Sequence, residues 1–393
     1  MRATPGDLNP AFEFSAVKVA TTVFVFCVAA LLALGTVMLY SSPTGSKLLT
    51  QQLLWTSLGV IACATAALFD YRKLKRNEFV WALLIFTVCL LMAVLVPHIG
   101  VKRGGAHRWI NLHFMMFQPS ELAKLALIIV IACYTERFQR QMHTFKRGLV
   151  IPAALIVPVL GLVFLEPDYG TTLLLAAVSA VMLLIAGVRL TIIGPAIVIG
   201  LIAVGVSVMH NPVRMQRVMA FLHPEEHREG KGFQQYQAML ALGSGGTTGV
   251  GLGDGRQKYY YVPENHTDFI LSIIGEELGL VATLGVVLAF LGIALSGVYI
   301  ASHACDRFGM MLGCGITFLI SLQAFINIGV VTTVLPNKGL PLPFVSYGGS
   351  SLLMMLTSVG LMLSVSRHAH EPVRRARGFN PFNPQEIPST QVS

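Results

Sequence analysis

Three stretches of an otherwise apolar chain hold residues that can do chemistry. The first runs from Tyr261 to Gly279 and contains His266, Asp268, Glu276 and Glu277. Asp268 stands where a polar segment enters a long apolar run, and the two glutamates lie two helical turns deeper. Carboxylates inside or at the edge of a membrane span are costly, which makes them functional candidates by default. The structural alternative for Asp268 is a cap or first-turn carboxylate that favours the helix dipole. For Glu276 and Glu277 the expectation is pairing with a buried cation. The second stretch is Gln118-Pro-Ser-Glu-Leu-Ala-Lys124. Pro119 and Ser120 suit a helix start, and Glu121 and Lys124, three apart, share one face. Such a pair either locks helices together or presents a lysine to phosphate. The third runs from Val334 to Ser351, with Lys338, Ser346 and Tyr347 as its polar members. Its prolines forbid regular helix from Pro336 to about Pro343. Irregular backbone at membrane depth must line a cavity or be covered by protein, and Gly348 and Gly349 suit close helix packing.

Other signals are weaker. Gly243 to Gly255 resembles a nucleotide loop, but no Walker lysine follows and no strand–helix frame surrounds it. A mobile loop beside a site is the expectation there. In Glu166-Pro-Asp-Tyr-Gly-Thr171, Asp168 is expected to cap the next helix. His107, His113 and His266 have no metal-ligand spacing. The six cysteines form no CxxC pair, so neither a disulfide framework nor a zinc site is expected.

The elements that must position these residues are membrane helices. Of 393 residues, 54% are hydrophobic and only 12% charged, with a mean hydropathy of +0.68. Soluble domains carry roughly 25% charged residues, so a soluble enzyme, a disordered chain and a disulfide scaffold are all excluded. Apolar runs fall at 18–41, 52–69, 79–97, 118–135, 150–165, 169–187, 191–209, 267–301, 308–334 and 345–366. They lack the alternation of a barrel, so the fold class is an all-α polytopic membrane protein of about ten spans. The 267–301 run is long for one span and is expected to tilt or project. Residues 1–17 form an N-terminal tail, 18–368 the membrane domain, and 369–393 a polar, disordered C-terminal tail.

The net charge of +9 fits cytoplasmic-loop bias rather than nucleic acid. Sixteen of the 28 basic residues fall on one side: Arg2, Lys18, Arg72 to Arg76, Arg137 to Arg147, Arg189, Arg307 and the C-terminal tail. That places both termini in the cytoplasm. Residues 98–117 and the large loop 210–266 then lie outside. Basic residues kept there, including Arg108 beside Trp109, point to an anionic ligand or to lipid phosphates.

Taken together, these motifs resemble the SEDS family of shape, elongation, division and sporulation proteins. The resemblance rests on Gly-Ala-His-Arg-Trp-Ile110, Gln-Pro-Ser-Glu-Leu-Ala-Lys124, Pro-Asp-Tyr-Gly-Thr171, the Gly-rich stretch, Pro-Glu-Asn-His-Thr-Asp-Phe269 and Pro-Leu-Pro-Phe-Val-Ser-Tyr-Gly-Gly-Ser-Ser351, in order across about residues 15–368. Asn337-Lys-Gly before Leu-Pro-Leu-Pro looks more like the division branch than the elongation branch. Val101-Lys-Arg-Gly-Gly-Ala departs from the family, which more often has an asparagine before Gly-Ala.

The resemblance implies a bacterial cytoplasmic-membrane glycosyltransferase that polymerises lipid II, at the septum if the division branch holds. It implies a class B penicillin-binding protein and other divisome membrane proteins as partners, and no nucleic acid. It assigns the essential carboxylate to Asp268 and importance for activity to Trp109. Asp268 then suits a general base for one inverting displacement, worth roughly two to four orders of magnitude. Arg108 and Lys124 are candidates to meet the departing pyrophosphate, with Glu121 holding Lys124. His266, Lys338, Ser346 and Tyr347 complete the candidate substrate contacts. No cofactor is certain; a divalent cation, magnesium or manganese, is an open option without a visible ligand set. A lipid flippase, in which Asp268 and Lys124 are gating groups, and a non-enzymatic division scaffold remain alternatives.

Overall fold

The computed structural model describes residues 10–41, 45–97, 100–103, 106–111, 116–222, 232–256, 267–337 and 339–369. Its helices, in chain order, begin with α1 (Pro10–Tyr40), α2 (Gly45–Leu68), α3 (Asn77–Leu95), α4 (Pro119–Phe138), α5 (Ile151–Leu165), α6 (Tyr169–Ile185) and α7 (Leu190–Met209). After α7 come two shorter helices, α8 (Pro212–Leu222) and α9 (Phe233–Ser244), and then α10 (Ile270–Ser302), α11 (Arg307–Val331) and α12 (Gly349–His368). Each expected apolar run lies on a helix, because lipid leaves backbone groups no partner except within the segment.

Among the described residues, eight helices are long and apolar enough to cross a membrane. The other two on apolar runs are α6, with 17 residues, and α4, which carries Glu121, Lys124, Glu136 and Arg137. Those charges explain the position of α4. It is buried around most of its circumference, against α3, α6, α11 and α12, where protein rather than lipid meets the polar groups. The α11 helix is buried in the same way, whereas on α7 only Ile193 is. Small residues let α2 and α12 meet closely: a Cβ at Gly360 would lie 2.3 Å from the Cys63 carbonyl oxygen, and one at Gly349 2.1 Å from the Trp55 ring.

Three features differ from the sequence expectation. Residues 100–117 hold a small antiparallel sheet, in the order β1 (Gly100–Arg103), β2 (Ala106–Asn111) and β3 (Met116–Phe117). Trp109 pairs with Val101, beside a register shift. The large loop contains α8 and α9, and Gln235 of α9 donates to the carbonyls of Val330 (3.2 Å) and Leu335 (3.0 Å), closing the end of α11. Finally, the long run is not one continuous helix. It breaks at Gly279, whose φ of 76° and ψ of −171° are not helical, so a nine-residue segment, Ile270 to Leu278, stands apart from the rest of α10.

The basic loops gather at the end of the bundle away from Asp268. Lys75 lies 3.3 Å from Glu136 and 3.5 Å from Asp306, and Tyr71 donates to Asp306 at 2.7 Å. Burial, reinforced by the Asp306 carboxylate, pushes the Tyr71 phenol well above its ordinary range. Arg367 donates to the carbonyl of Leu68 at 2.9 Å, tying the end of α12 to α2.

Candidate functional site

The segment between α11 and α12 is the hub of the opposite end. It is irregular, as the prolines require: Gly339 and Phe344 have φ of 63° and 66°. Gly339 suits a left-handed position because it carries no Cβ. A Cβ there would also lie 3.3 Å from Oδ2 of Asp268, so the glycine marks where the carboxylate approaches the hub.

Asp268 lies one residue before the Phe269 cap of α10, and Phe269 makes no side-chain cap bond. The nine-residue helix therefore does not use Asp268 as its cap residue. Its backbone is held from two sides. Asn327 of α11 donates through Nδ2 to the main-chain carbonyl of Asp268 and to that of Leu340, both at 2.8 Å. Ser346 donates to the carbonyl of Thr267 at 2.6 Å and accepts from the Leu342 amide at 2.8 Å. Ser346 is therefore a buried clamp, and Tyr347 donates to Gln51 of α2 at 2.6 Å.

The predicted ion pair is present: Lys124 Nζ lies 2.9 Å from Glu121 Oε1, with both side chains buried. Lys124 also donates to Gln323 Oε1 at 3.0 Å, and Gln323 Nε2 donates to the carbonyl of Pro341 at 2.9 Å. Its ammonium is enclosed rather than presented to an open surface, with the residue 1% exposed. Gln323 and Asn327, four apart on one face of α11, thus tie Lys124 and Asp268 to adjacent residues of the hub. Sequence reading missed both. Their one signal was a polar pair at helical spacing inside a span.

Arg108 leaves β2 to meet the turn between α5 and α6. It donates to the carbonyls of Glu166 (3.4 Å) and Pro167 (2.9 Å) and lies 3.7 Å from Asp168 Oδ2. Its side chain is 29% exposed, so it is the more open of the two candidate cations. Asp168 caps α6 as expected, accepting from the Thr171 amide at 3.1 Å, and accepts from Gln118 at 3.3 Å. Glu166 is fully buried, and neither carboxylate oxygen has a hydrogen-bond partner among the described residues. Burial, with Asp168 adding and Arg108 opposing, pushes its pKa up to about 8.

Glu276 and Glu277 take other partners than the expected cation among the described residues. Glu276 Oε1 accepts from the Arg256 amide at 2.7 Å, and Glu277 Oε2 from the Gly253 amide at 3.1 Å and the Ser41 hydroxyl at 2.7 Å. The Gly-rich stretch is docked here, not free. Val250 and Gly251 donate to the carbonyls of Glu276 and Glu277, and Leu280 and Val281 donate to those of Gly246 and Thr247. His266, Lys338 and the side chain of His107 lie outside the described residues. Among the described residues no three His, Cys, Asp or Glu side chains converge.

A predominantly helical membrane protein with carboxylates and cations gathered at one end of its bundle is the class that fold and site define. The model of the FtsW, RodA and SpoVE family, described as "Cell cycle protein", matches residues 21–371, and the chain belongs to that family. It is 40% identical over 355 residues to a "Probable peptidoglycan glycosyltransferase FtsW" of Trichlorobacter lovleyi, covering 88% of this chain and 92% of that one. To "Stage V sporulation protein E" of Bacillus subtilis it is 38% identical over 321 residues, 81% and 87% of the two chains. Among solved structures it is similar to a chain described under "Structural coordination of polymerization and crosslinking by a peptidoglycan synthase complex". The TM-score there is 0.76, at 29% identity, covering 88% of this chain and 98% of that one. The RodA of Thermus thermophilus gives a TM-score of 0.68 at 28% identity, covering 88% and 97%.

Proposed function

We propose that this chain is a peptidoglycan glycosyltransferase of the division branch, polymerising lipid II into glycan strands. The observation that carries the reading is the site itself: Asp268, anchored through Asn327 and Ser346, at the end of the bundle that also holds Arg108. Relatives named as peptidoglycan glycosyltransferase FtsW support the activity and the branch. The likeness to a chain of a peptidoglycan synthase complex supports a class B penicillin-binding protein as partner.

Ten spans with cytoplasmic termini fit the helices and the clustering of basic loops at the end opposite Asp268. Lipid-anchored substrates then reach Asp268 from the outer leaflet. The Asp268 carboxylate takes the proton of the acceptor sugar's C4 hydroxyl as that oxygen attacks the donor's anomeric carbon. The bond from that carbon to the polyprenyl pyrophosphate breaks, and configuration inverts. Arg108 is placed to meet the developing charge at the rim, and Lys124 with Glu121 holds the hub in place. No nucleotide is needed, because the pyrophosphate linkage supplies the driving force.

The test is to purify the chain with and without its penicillin-binding partner, supply lipid II, and look for glycan polymer. Polymer is the expected product. Lipid movement across a bilayer without polymer would favour the flippase.

A further inference from the structure

The break in α10 isolates the short helix that follows Asp268, and something other than helix continuity must orient it. The docked Gly-rich loop is in position to do so. Gly279 breaks the helix, and a Cβ there would lie 2.4 Å from the amide nitrogen of Gly249. A Cβ at Gly249 would lie 2.2 Å from the Glu277 carbonyl oxygen, and one at Gly245 1.8 Å from the Gly275 carbonyl oxygen. Loop and helix therefore meet backbone to backbone, an approach only glycine permits. Four main-chain hydrogen bonds cross the contact, two on each side of the break. Glu277 adds the side-chain part. One of its carboxylate oxygens gathers the Gly253 amide of the loop and the Ser41 hydroxyl at the end of α1. Three separate parts of the chain thus meet on a residue 1% exposed, in the last turn of the segment that Asp268 begins.

We propose that Glu277 is a positioning residue for Asp268. By tying the loop and α1 to the broken turn, it fixes the direction in which the short helix presents its carboxylate. The inference rests on the polymerase reading. It assigns no contact between Glu277 and substrate, so its loss acts on turnover and not on binding. A displacement of about 1 Å at a reacting group costs on the order of a hundredfold in rate.

The test uses the full chain with its partner and lipid II, with kcat and KM measured per folded protein. Amide hydrogen exchange is followed over 243–256 and 270–278 on the same samples. Glu277→Ala is expected to lower kcat at least tenfold, leave KM within about twofold, and speed exchange in both segments together. Glu277→Gln keeps an oxygen acceptor and is expected to retain kcat within threefold. Ser41→Ala, which carries little folding risk, is expected to lower kcat by a smaller factor with KM unchanged, and keeps the inference testable should Glu277→Ala not fold. An unchanged kcat in both Glu277→Ala and Ser41→Ala, a raised KM at constant kcat, or failure of Glu277→Gln to rescue would overturn it. A wild type that makes no glycan overturns the polymerase reading itself, and the positioning role with it. An active wild type with indifferent variants overturns this inference alone.

Discussion

Asn327 holds the main-chain carbonyl of Asp268 and that of Leu340 on one amide nitrogen, each at 2.8 Å. A residue one turn from the end of the largely buried α11 therefore links the candidate base to the irregular hub. Asn327→Leu removes both donors and leaves two carbonyls without their partner. An unmet buried polar group costs roughly 1–3 kcal/mol. The expected outcome is a loss of that order or somewhat more in unfolding free energy, with a fall in polymerisation larger than the loss of folded protein explains. Thermal unfolding in detergent and activity per folded protein check the two parts.

Glu121 and Lys124 form a buried pair at 2.9 Å. Removing one partner strands the other charge, which costs about 3–5 kcal/mol, whereas replacing both by apolar residues is often close to neutral. Lys124→Met alone is expected to destabilise strongly, and Lys124→Met with Glu121→Leu to recover more than half of that loss. A double-mutant cycle on unfolding free energies measures it. Additive losses would show that the pair is not coupled.

Glu166 gives a pH dependence of definite sign. Its carboxyl is held up to about 8, above the ordinary glutamate value of 4.5, mainly by burial. Between those values the folded state binds more protons than the unfolded state, so stability falls as pH rises through the window. The slope from this group is at most about 1.4 kcal/mol per pH unit. Glu166→Gln removes the titration, so its melting temperature is expected to drop less than that of wild type between pH 6 and pH 9. Parallel drops would contradict the assignment.

At Gly349 a Cβ would meet the Trp55 ring at 2.1 Å. Gly349→Ala is expected to destabilise by about 1–3 kcal/mol through overpacking, and Gly349→Ala with Trp55→Leu to recover part of it. Unfolding of the single and double variants decides.

Much of this site was legible because its signals are local. Pro336 to Pro343 announces irregular backbone, Asp168 before Tyr-Gly-Thr announces a cap, and Glu121 and Lys124 declare themselves by spacing. The partners that complete the site were not legible. Gln323 and Asn327 act on carbonyls brought close only by the tertiary fold. The break at Gly279 leaves apolar residues on both sides, so the hydrophobic run reads as continuous, and only the loop packed against it explains the glycine. The sheet of residues 100–117 is too short and glycine-rich to show an alternating pattern. For Glu276 and Glu277 the backbone amides of Arg256 and Gly253 were not legible either, because only the docked loop brings them to the carboxylates.

The central claim is that Asp268 carries the chemistry. Its most direct test is glycan formation from lipid II by wild type and Asp268→Asn, with the partner present, at equal folded concentration and matched melting temperature. The account predicts a loss of at least a hundredfold in turnover with KM little changed, as removal of a general base requires. Equal polymer from both proteins would contradict it and move the catalytic role away from this carboxylate.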